Sequence, residues 1–568
     1  MTRTLELRYF AVLNLTILAS AMYLFSKVQN INPIILGDEY IYSFNARNFS
    51  LFEPSPLGNY SNPLFELVFS SVELCGSGFY TCAKGLNIFF LGVFIFLVLF
   101  ALRNFIPIWI AGLVAPALML SPLGAYSSMF LPESLMFAGI GLAFFFLLEA
   151  IDNPGYRPWV FLGLSMAAVT SVKPHALMFV FGIFIFLGIT KSSAFYSFRE
   201  KVSKVLLVAL VFIFGRLSLG FLLAGPSGFD ILGRYVNDST VDKVLGEEAT
   251  GPASTGQSPM QTSLEQFPEQ FFSLALATLA FTGLALVLIA GSMAWLPGFR
   301  VSDERLAAAT FSVAISYVVY LIGVALFAGW VSGTGDDHSA RVLMRYLDVM
   351  IPIISIVGLA NGFVAQSNSS SMAPSFLRWP VAVGAIAISN FAFTDFFSRK
   401  EIQIADAPFL AGLITSSDAI MFGGVVLAVS IAAWAAFPRT AGYGVASLVI
   451  VASILGGNAA LSQYELARGE ASRIERAGEL LAELKPQTIV ESSKIRVFAT
   501  SRFDATGALF WAQGTSPIPY TIVPPQTNLA IDSVLEEYVL TIGAITAPDA
   551  YSLLENGQGF KFWQKTDG

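Results

Sequence analysis

The sequence predicts a mainly α-helical protein that crosses a membrane many times and ends in a small α/β domain. Of its 568 residues, 55% are hydrophobic and only 12% are charged, and the mean hydropathy is +0.67. Soluble domains carry about 25% charged residues, so a water-soluble enzyme is excluded. The net charge of −7, without a long basic run, argues against a nucleic-acid partner. Two cysteines and two histidines are too few for a Cys/His zinc, haem or iron–sulfur centre.

Apolar segments account for the helical class. About 20 residues at 1.5 Å rise cross the hydrocarbon core of a bilayer, so runs near this length predict about 13 transmembrane helices. They lie at 9–26, 85–102, 105–121, 134–150, 158–171, 175–190, 203–224, 270–292, 306–329, 347–365, 379–394, 417–437 and 442–461. Segments 158–171 and 379–394 are short for a span, which leaves the count open by one or two.

The distribution of Lys and Arg predicts the orientation. With the N-terminus inside, the cytoplasmic segments carry more basic residues than the short outer loops, which the positive-inside rule favours. The three long non-spanning segments, 27–84, 225–269 and 462–568, then all lie outside. We therefore divide the chain into a membrane domain, residues 1–461, and an outer domain, residues 462–568.

The first outer segment predicts two short juxtamembrane helices and a disulfide. One helix starts at Gly37-Asp38-Glu39, and the other starts near Pro63, because proline suits the first turn. Cys75 and Cys82 enclose six residues, two of them glycine, and an oxidising compartment would keep such a ring closed. Two buried free thiols are the alternative.

The outer domain reads as an α/β unit. A polar helix from Gln463 to Lys485 precedes strand-like runs at Ile495 and Tyr538, and a helix is expected at 548–554. About a hundred residues suffice for such a domain. It carries no catalytic motif, so we interpret it as an accessory platform.

An adjacent acidic pair, Asp38 and Glu39, lies shortly after the first span. Acids in a first helical turn often only stabilise the helix dipole. The surrounding sequence from Gly37 to Arg47 nevertheless resembles the first outer loop of the GT-C superfamily of membrane glycosyltransferases, where an acidic pair opens a juxtamembrane helix. Tyr42 and Arg47 match spacings found in lipid A aminoarabinose transferases.

Further motifs extend the resemblance over roughly residues 1–365 as architecture. They are Gly58 to Leu64, Leu131-Pro132-Glu133-Ser134, Val172-Lys173-Pro174-His175 and Arg345-Tyr346. The resemblance implies a GT-C-like helical bundle. It also implies an inverting transfer of one sugar, such as arabinofuranose, aminoarabinose or a hexose, from a polyprenyl-phosphate donor to an extracytoplasmic glycan, lipid or protein.

Such a transfer assigns roles to the candidate residues. A carboxylate takes up the acceptor proton, and cations balance the charge on the leaving phosphate. A cation costs about 2.5–3.5 kcal/mol at mid-bilayer and less near the edge, so cations there are expected to serve a purpose. The expected catalytic acids are Asp38, Glu39 and Glu133; the phosphate-binding cations are Lys173, Arg341, Arg345 and Arg47; and the substrate contacts are Tyr42, His338 and Tyr346.

Structural alternatives remain open for these residues. Glu133 could cap a helix, and Lys173 could extend to lipid headgroups. The run from Asp336 to Arg345 could be a solvated ion-pair cluster or a divalent-cation site, the one cofactor that the sequence leaves open. Arg216, in the middle of the seventh span, either pairs with an acid or reaches the donor phosphate.

Two other classes of protein handle lipid-linked sugars. A transporter or flippase would show internal repeats with broken helices, which we do not find. An O-antigen ligase or polymerase would place a large Arg-rich outer loop late in the chain. The absence of a Trp-Trp-Asp motif disfavours N-linked oligosaccharide transfer. The expected location is the bacterial inner membrane, with the site and the outer domain facing the periplasm.

Overall fold

A computed structural model describes residues 3–31, 33, 36–57, 62–153, 155–190, 197–231, 259–293, 303–332, 344–367, 375–391, 408–409, 417–488, 494–512, 518–529 and 536–566. Within these ranges lie helices α1 (Arg3–Val28), α2 (Leu36–Arg47), α3 (Pro63–Ser70), α4 (Phe79–Ala101), α5 (Ile108–Met119), α6 (Glu133–Asp152), α7 (Arg157–Val172), α8 (Leu177–Ile189), α9 (Phe198–Ala224), α10 (Pro259–Met293), α11 (Glu304–Ser332), α12 (Met350–Ser367), α13 (Ser375–Phe391), α14 (Ser417–Ala436), α15 (Ala441–Thr488) and α16 (Arg502–Trp511). Each predicted apolar segment overlaps one of α1 and α4 to α15, so the mainly helical class is confirmed.

The chain is a multi-pass membrane protein. Within the described residues, six helical segments are long and apolar enough to span a bilayer, or up to eight if two bent pairs each count as one span. The count of about 13 is not confirmed, because several predicted spans are short helices. For example, α5 has 12 residues and α8 has 13. At 1.5 Å per residue such helices cover about 20 Å, less than the hydrocarbon core.

Small residues let helices approach closely in the bundle. A Cβ added to Gly182 of α8 would lie 2.6 Å from the Cα of Ser316 in α11. A Cβ on Gly228 would lie 1.9 Å from the carbonyl oxygen of Gly220 in α9. Glycine at position 182 thus lets α8 pack closely against α11. Glycine at position 228 lets the turn after α9 fold back onto that helix, as small residues commonly do in membranes.

The first loop has the predicted elements. The helices expected at Gly37 and Pro63 are α2 and α3, and α3 begins at Pro63. The amide of Asn62 donates a hydrogen bond to the carbonyl of Val172 at 2.6 Å, which ties the start of α3 to the end of α7. Cys75 and Cys82 form a disulfide, as predicted.

The C-terminal part is an α/β domain, as predicted. Its sheet has the strand order β2-β1-β3-β5-β4. Strand β1 runs parallel to β2 and β3, whereas β5 is antiparallel to β3 and β4. The strands are β1 (Ile495–Ala499), β2 (Tyr520–Ile522), β3 (Tyr538–Ile542), β4 (Tyr551–Gly557) and β5 (Phe560–Lys565).

One helix boundary and one element type in the C-terminal part differ from expectation. The polar helix predicted from Gln463 to Lys485 is not separate, because α15 continues unbroken from the last predicted span to Thr488. The helix predicted at 548–554 is wrong, since these residues enter strand β4, which pairs with β5. Pairing along a sheet edge outweighs a weak local helix preference.

Candidate functional site

Four charged side chains meet at one end of the bundle, and we call them the charged cluster: Asp38, Glu133, Lys173 and Arg345. Each lies at the end of an element, where the chain turns. Asp38 is in the first turn of α2, Glu133 opens α6, Lys173 follows α7, and Arg345 is in a 3₁₀ turn before α12. Helix N-termini favour carboxylates and C-termini favour cations, so three of the four positions suit their charges.

Arg345 joins the two carboxylates of the cluster. Its Nη2 lies 3.3 Å from Oδ2 of Asp38, and its Nε lies 3.7 Å from Oε1 of Glu133. The ammonium of Lys173 lies 2.5 Å from the same oxygen of Glu133. The cluster therefore combines two carboxylates with two cations, and Arg345 contacts both carboxylates.

Exposure increases across the cluster from Glu133 to Asp38. The exposed side-chain fraction is 1% for Glu133, 3% for Lys173, 11% for Arg345 and 36% for Asp38. The Glu133–Lys173 pair is thus buried, whereas the Asp38 carboxylate is partly exposed to solvent.

Burial governs the electrostatics of the Glu133–Lys173 pair. Burial lowers the pKa of Lys173, an effect that the nearby Arg345 reinforces and that Glu133 opposes. Removing one partner of a buried ion pair leaves an uncompensated charge, which is strongly destabilising. Lys173, expected from the sequence to contact phosphate, therefore has a close partner of its own in Glu133.

Aromatic side chains fix the position of Arg345. Its Nη2 donates a hydrogen bond to the hydroxyl of Tyr346 at 3.1 Å. The ring of Tyr346 stacks on His175 with 4.3 Å between centroids. Burial raises the pKa of Tyr346, so its hydroxyl stays protonated at neutral pH. Tyr346, expected as a substrate contact, thus supports the guanidinium.

The second acid of the pair points into the protein. Glu39 is fully buried and accepts a hydrogen bond from the backbone N–H of Phe130 at 2.8 Å. The hydroxyl of Tyr80 lies 3.1 Å from the same oxygen of Glu39. Tyr42 is also buried, edge-on to Phe65. Of the acidic pair, Asp38 is therefore the member beside Arg345.

Arg47 contacts a different part of the first loop. Its Nε lies 2.6 Å from Oε2 of Glu73, and its guanidinium lies 4.2 Å from the ring centroid of Phe79. Its role in binding phosphate stays a prediction. Arg341 and His338, with the neighbouring acids Asp336 and Asp337, lie outside the described residues.

Arg216 has a backbone partner in the described part of the chain. Its Nη1 donates a hydrogen bond to the carbonyl of Gly228 at 3.0 Å. This contact holds the turn after α9 and gives Arg216 a structural function of its own.

Tyr126 and Asp348 form a buried pair beside the cluster that the sequence motifs do not indicate. The hydroxyl of Tyr126 donates a hydrogen bond to Oδ2 of Asp348 at 2.6 Å, and both residues are fully buried. Asp348 is close enough to Glu133 and Arg345 to feel their charges. An acid at the edge of an apolar segment, three positions after Arg345, was the signal that could have revealed it.

The described residues do not define a metal centre. No group of three or more His, Cys, Asp or Glu side chains among them could hold a metal ion. The divalent-cation site considered at Asp336, Asp337 and His338 falls outside this part of the chain. Metal binding at those residues stays a prediction.

The chain matches no protein-family model and no curated protein sequence. It is similar to the crystal structure of ArnT from Cupriavidus metallidurans bound to undecaprenyl phosphate, with 12% identity, a TM-score of 0.49, and 96% of this chain and 97% of that chain covered. The apo form of ArnT gives 10% identity, a TM-score of 0.45 and 96% coverage of both chains. The archaeal oligosaccharyltransferase AglB from Archaeoglobus fulgidus, in complex with an inhibitory peptide and a dolichol-phosphate, gives 11% identity, a TM-score of 0.41, and 94% of this chain and 69% of that chain covered. These similarities concern the fold alone.

Proposed function

We propose that the chain is a membrane glycosyltransferase that moves one sugar, with inversion, from a polyprenyl-phosphate donor to an extracytoplasmic acceptor. The observation that carries this proposal is the partly exposed carboxylate of Asp38, 3.3 Å from the guanidinium of Arg345. A base and a phosphate-binding cation thus stand side by side on the more exposed side of the charged cluster.

The chemistry needs both groups. The acceptor hydroxyl attacks the anomeric carbon, a new carbon–oxygen bond forms, and the bond from that carbon to the phosphate oxygen breaks. Asp38 takes the proton of the hydroxyl, because a neutral alcohol is a poor nucleophile. The electron pair of the broken bond stays on the lipid phosphate, where added negative charge favours a nearby cation.

Arg345 suits the leaving phosphate. A planar guanidinium offers paired donors that match a phosphate, and it stays charged at any physiological pH. In the structure its Nη2 contacts Asp38, so a bound phosphate would compete with Asp38 for this donor. That exchange would leave the carboxylate to receive the acceptor hydroxyl. Glu133 holds the other side of Arg345 in place.

The location of the site follows from the same proposal. The positive-inside count and the Cys75–Cys82 disulfide support an oxidising, extracytoplasmic side for the first loop. We place the enzyme in a bacterial inner membrane, with the charged cluster and the C-terminal domain facing the periplasm. Its partners would be a polyprenyl-phosphate pentose, aminopentose or hexose, membrane lipids, and a glycan, lipid or protein acceptor.

Replacing the proposed base tests the proposal. Asp38→Asn keeps the shape of the side chain but removes its basicity. We expect kcat for transfer from a panel of undecaprenyl-phosphate sugars to fall by about 10²–10⁴-fold, the usual contribution of general-base catalysis. Because Asp38 is partly exposed, the free energy of unfolding should change by less than about 1 kcal/mol.

The matched control is Asp549→Asn, an exposed carboxylate just before β4. It should transfer sugar at the wild-type rate. Wild-type transfer by Asp38→Asn would contradict the assignment of the base.

A further inference from the structure

Tyr80 contacts three other parts of the protein: helix α2, the 128–130 segment and the C-terminal domain. It stands in the first turn of α4 and is 4% exposed. Its hydroxyl lies 3.1 Å from Oε1 of Glu39 and also contacts the carbonyl of Ser128. Since Glu39 also accepts a hydrogen bond from Phe130, the side chain of this acid is fixed by two separate elements.

A buried cation holds one face of the Tyr80 ring. The ammonium of Lys84 lies 4.1 Å from the ring centroid, and Lys84 is 1% exposed. It donates hydrogen bonds to the carbonyls of Gln29 and Ile31, at 3.1 and 2.5 Å. Lys84 therefore links Tyr80 to the chain that leads from α1 into α2.

The C-terminal domain supplies further contacts to the ring. Phe510 and Trp511, at the end of α16, meet Tyr80 edge-on with centroid distances of 5.3 and 6.0 Å. Helix α16 also packs against α2. Helix α16 also lies close to α15: a Cβ added to Gly478 would lie 2.3 Å from the carbonyl oxygen of Ala508. Helix α16 thus packs against both α15 and α2.

We propose that Tyr80 is a positioning residue for Asp38 and that the C-terminal domain holds it in place through Phe510 and Trp511. The inference rests on the proposed function of Asp38 as the base. Asp38 and Glu39 are consecutive in α2, so fixing the inward-facing Glu39 fixes the direction of its neighbour. A displacement of about 1 Å at a reacting group can cost about 10²-fold in rate.

The central test is Tyr80→Phe, which keeps the ring and removes only the hydroxyl. With an undecaprenyl-phosphate sugar donor, we expect kcat to fall by about 10- to 100-fold. The KM for the donor should stay at its wild-type value, because Tyr80→Phe leaves Arg345 and its contacts with Glu133 and Tyr346 in place. Trp511→Leu, which removes one aromatic contact from the ring, should shift kcat in the same direction.

The matched control is Tyr551→Phe. The Tyr551 hydroxyl donates a hydrogen bond to the carbonyl of Glu536 at 2.6 Å, inside the C-terminal domain and away from Tyr80. This variant also loses one hydroxyl that is hydrogen-bonded to a backbone carbonyl, here a partly buried one, and it should keep the wild-type kcat.

Hydrogen exchange gives a readout that does not depend on turnover. Tyr80→Phe and Trp511→Leu should speed amide exchange in residues 36–47, whereas Tyr551→Phe should not. Unchanged exchange in α2 together with unchanged kcat would overturn the inference. A uniform loss of thermal stability, with exchange raised across all helices, would also overturn it, because it would show a merely structural role.

The two proposals can fail separately. If Asp38→Asn transfers sugar normally, the proposed function fails, and exchange in α2 still decides whether Tyr80 holds this helix. If Asp38→Asn is inactive while Tyr80→Phe matches the wild type in kcat and exchange, only the positioning role fails.

Discussion

At the scale of single residues, the structure separates two cations that look equivalent in the sequence. Lys173 and Arg345 are both basic residues at the ends of apolar segments, and the sequence predicts that both bind phosphate. Lys173 is buried against Glu133, whereas Arg345 reaches the more exposed Asp38. The sequence motifs include all four residues of the cluster and favour Asp38 as the base, but they do not distinguish the two cations, because burial and pairing depend on contacts between distant elements.

This difference predicts the effect of neutralising Arg345. Arg345→Gln should raise the KM for an undecaprenyl-phosphate sugar by about 10- to 100-fold, the equivalent of the roughly 1.5–3 kcal/mol that a hydrogen bond to a charged group contributes. Steady-state kinetics with varied donor concentration would measure it. Arg496→Gln, which breaks the pair with Glu536 in the C-terminal domain, is the control and should leave this KM unchanged. A wild-type donor KM for Arg345→Gln would show that this guanidinium does not bind the donor phosphate.

At the scale of elements, the sequence predicts where helices occur better than it predicts where they end. Apolar segments overlap the helices, and Pro63 marks the start of α3, because these signals are local. The unbroken length of α15 and the strand at 551–557 depend on packing and sheet pairing, which local patterns do not record. The inward direction of Glu39 was hidden for the same reason, since its partners come from α4 and the 128–130 segment.

The disulfide joins the turn before α4 to the first turn of α4, and it should stabilise this part of the first loop. Replacing both Cys75 and Cys82 by alanine should lower the free energy of unfolding by about 2–3 kcal/mol, the value for closing a short loop. Thermal unfolding with and without a reducing agent would measure it. Reductant should destabilise the wild type and leave the double variant unchanged, since the chain has only two cysteines. Equal stability of the two proteins would contradict this account of the loop.

At the scale of the whole molecule, the proposal places the charged cluster and the C-terminal domain on one side of the membrane. Both cysteines are in the disulfide, so a newly introduced cysteine would be the single free thiol. Asp549→Cys should react with a membrane-impermeant maleimide added outside intact cells. Asn153→Cys, between α6 and α7 at the opposite end of α6 from Glu133, should react only after the cells are broken. The reverse pattern would invert the proposed orientation.

The most direct measurement of the central claim is a cryo-EM structure of the protein with undecaprenyl phosphate. We predict density for the phosphate within about 4 Å of the Arg345 guanidinium, the range of an ion pair, with the Asp38 carboxylate beside it and released from Arg345. A phosphate bound elsewhere, with the Asp38–Arg345 contact intact, would contradict the account.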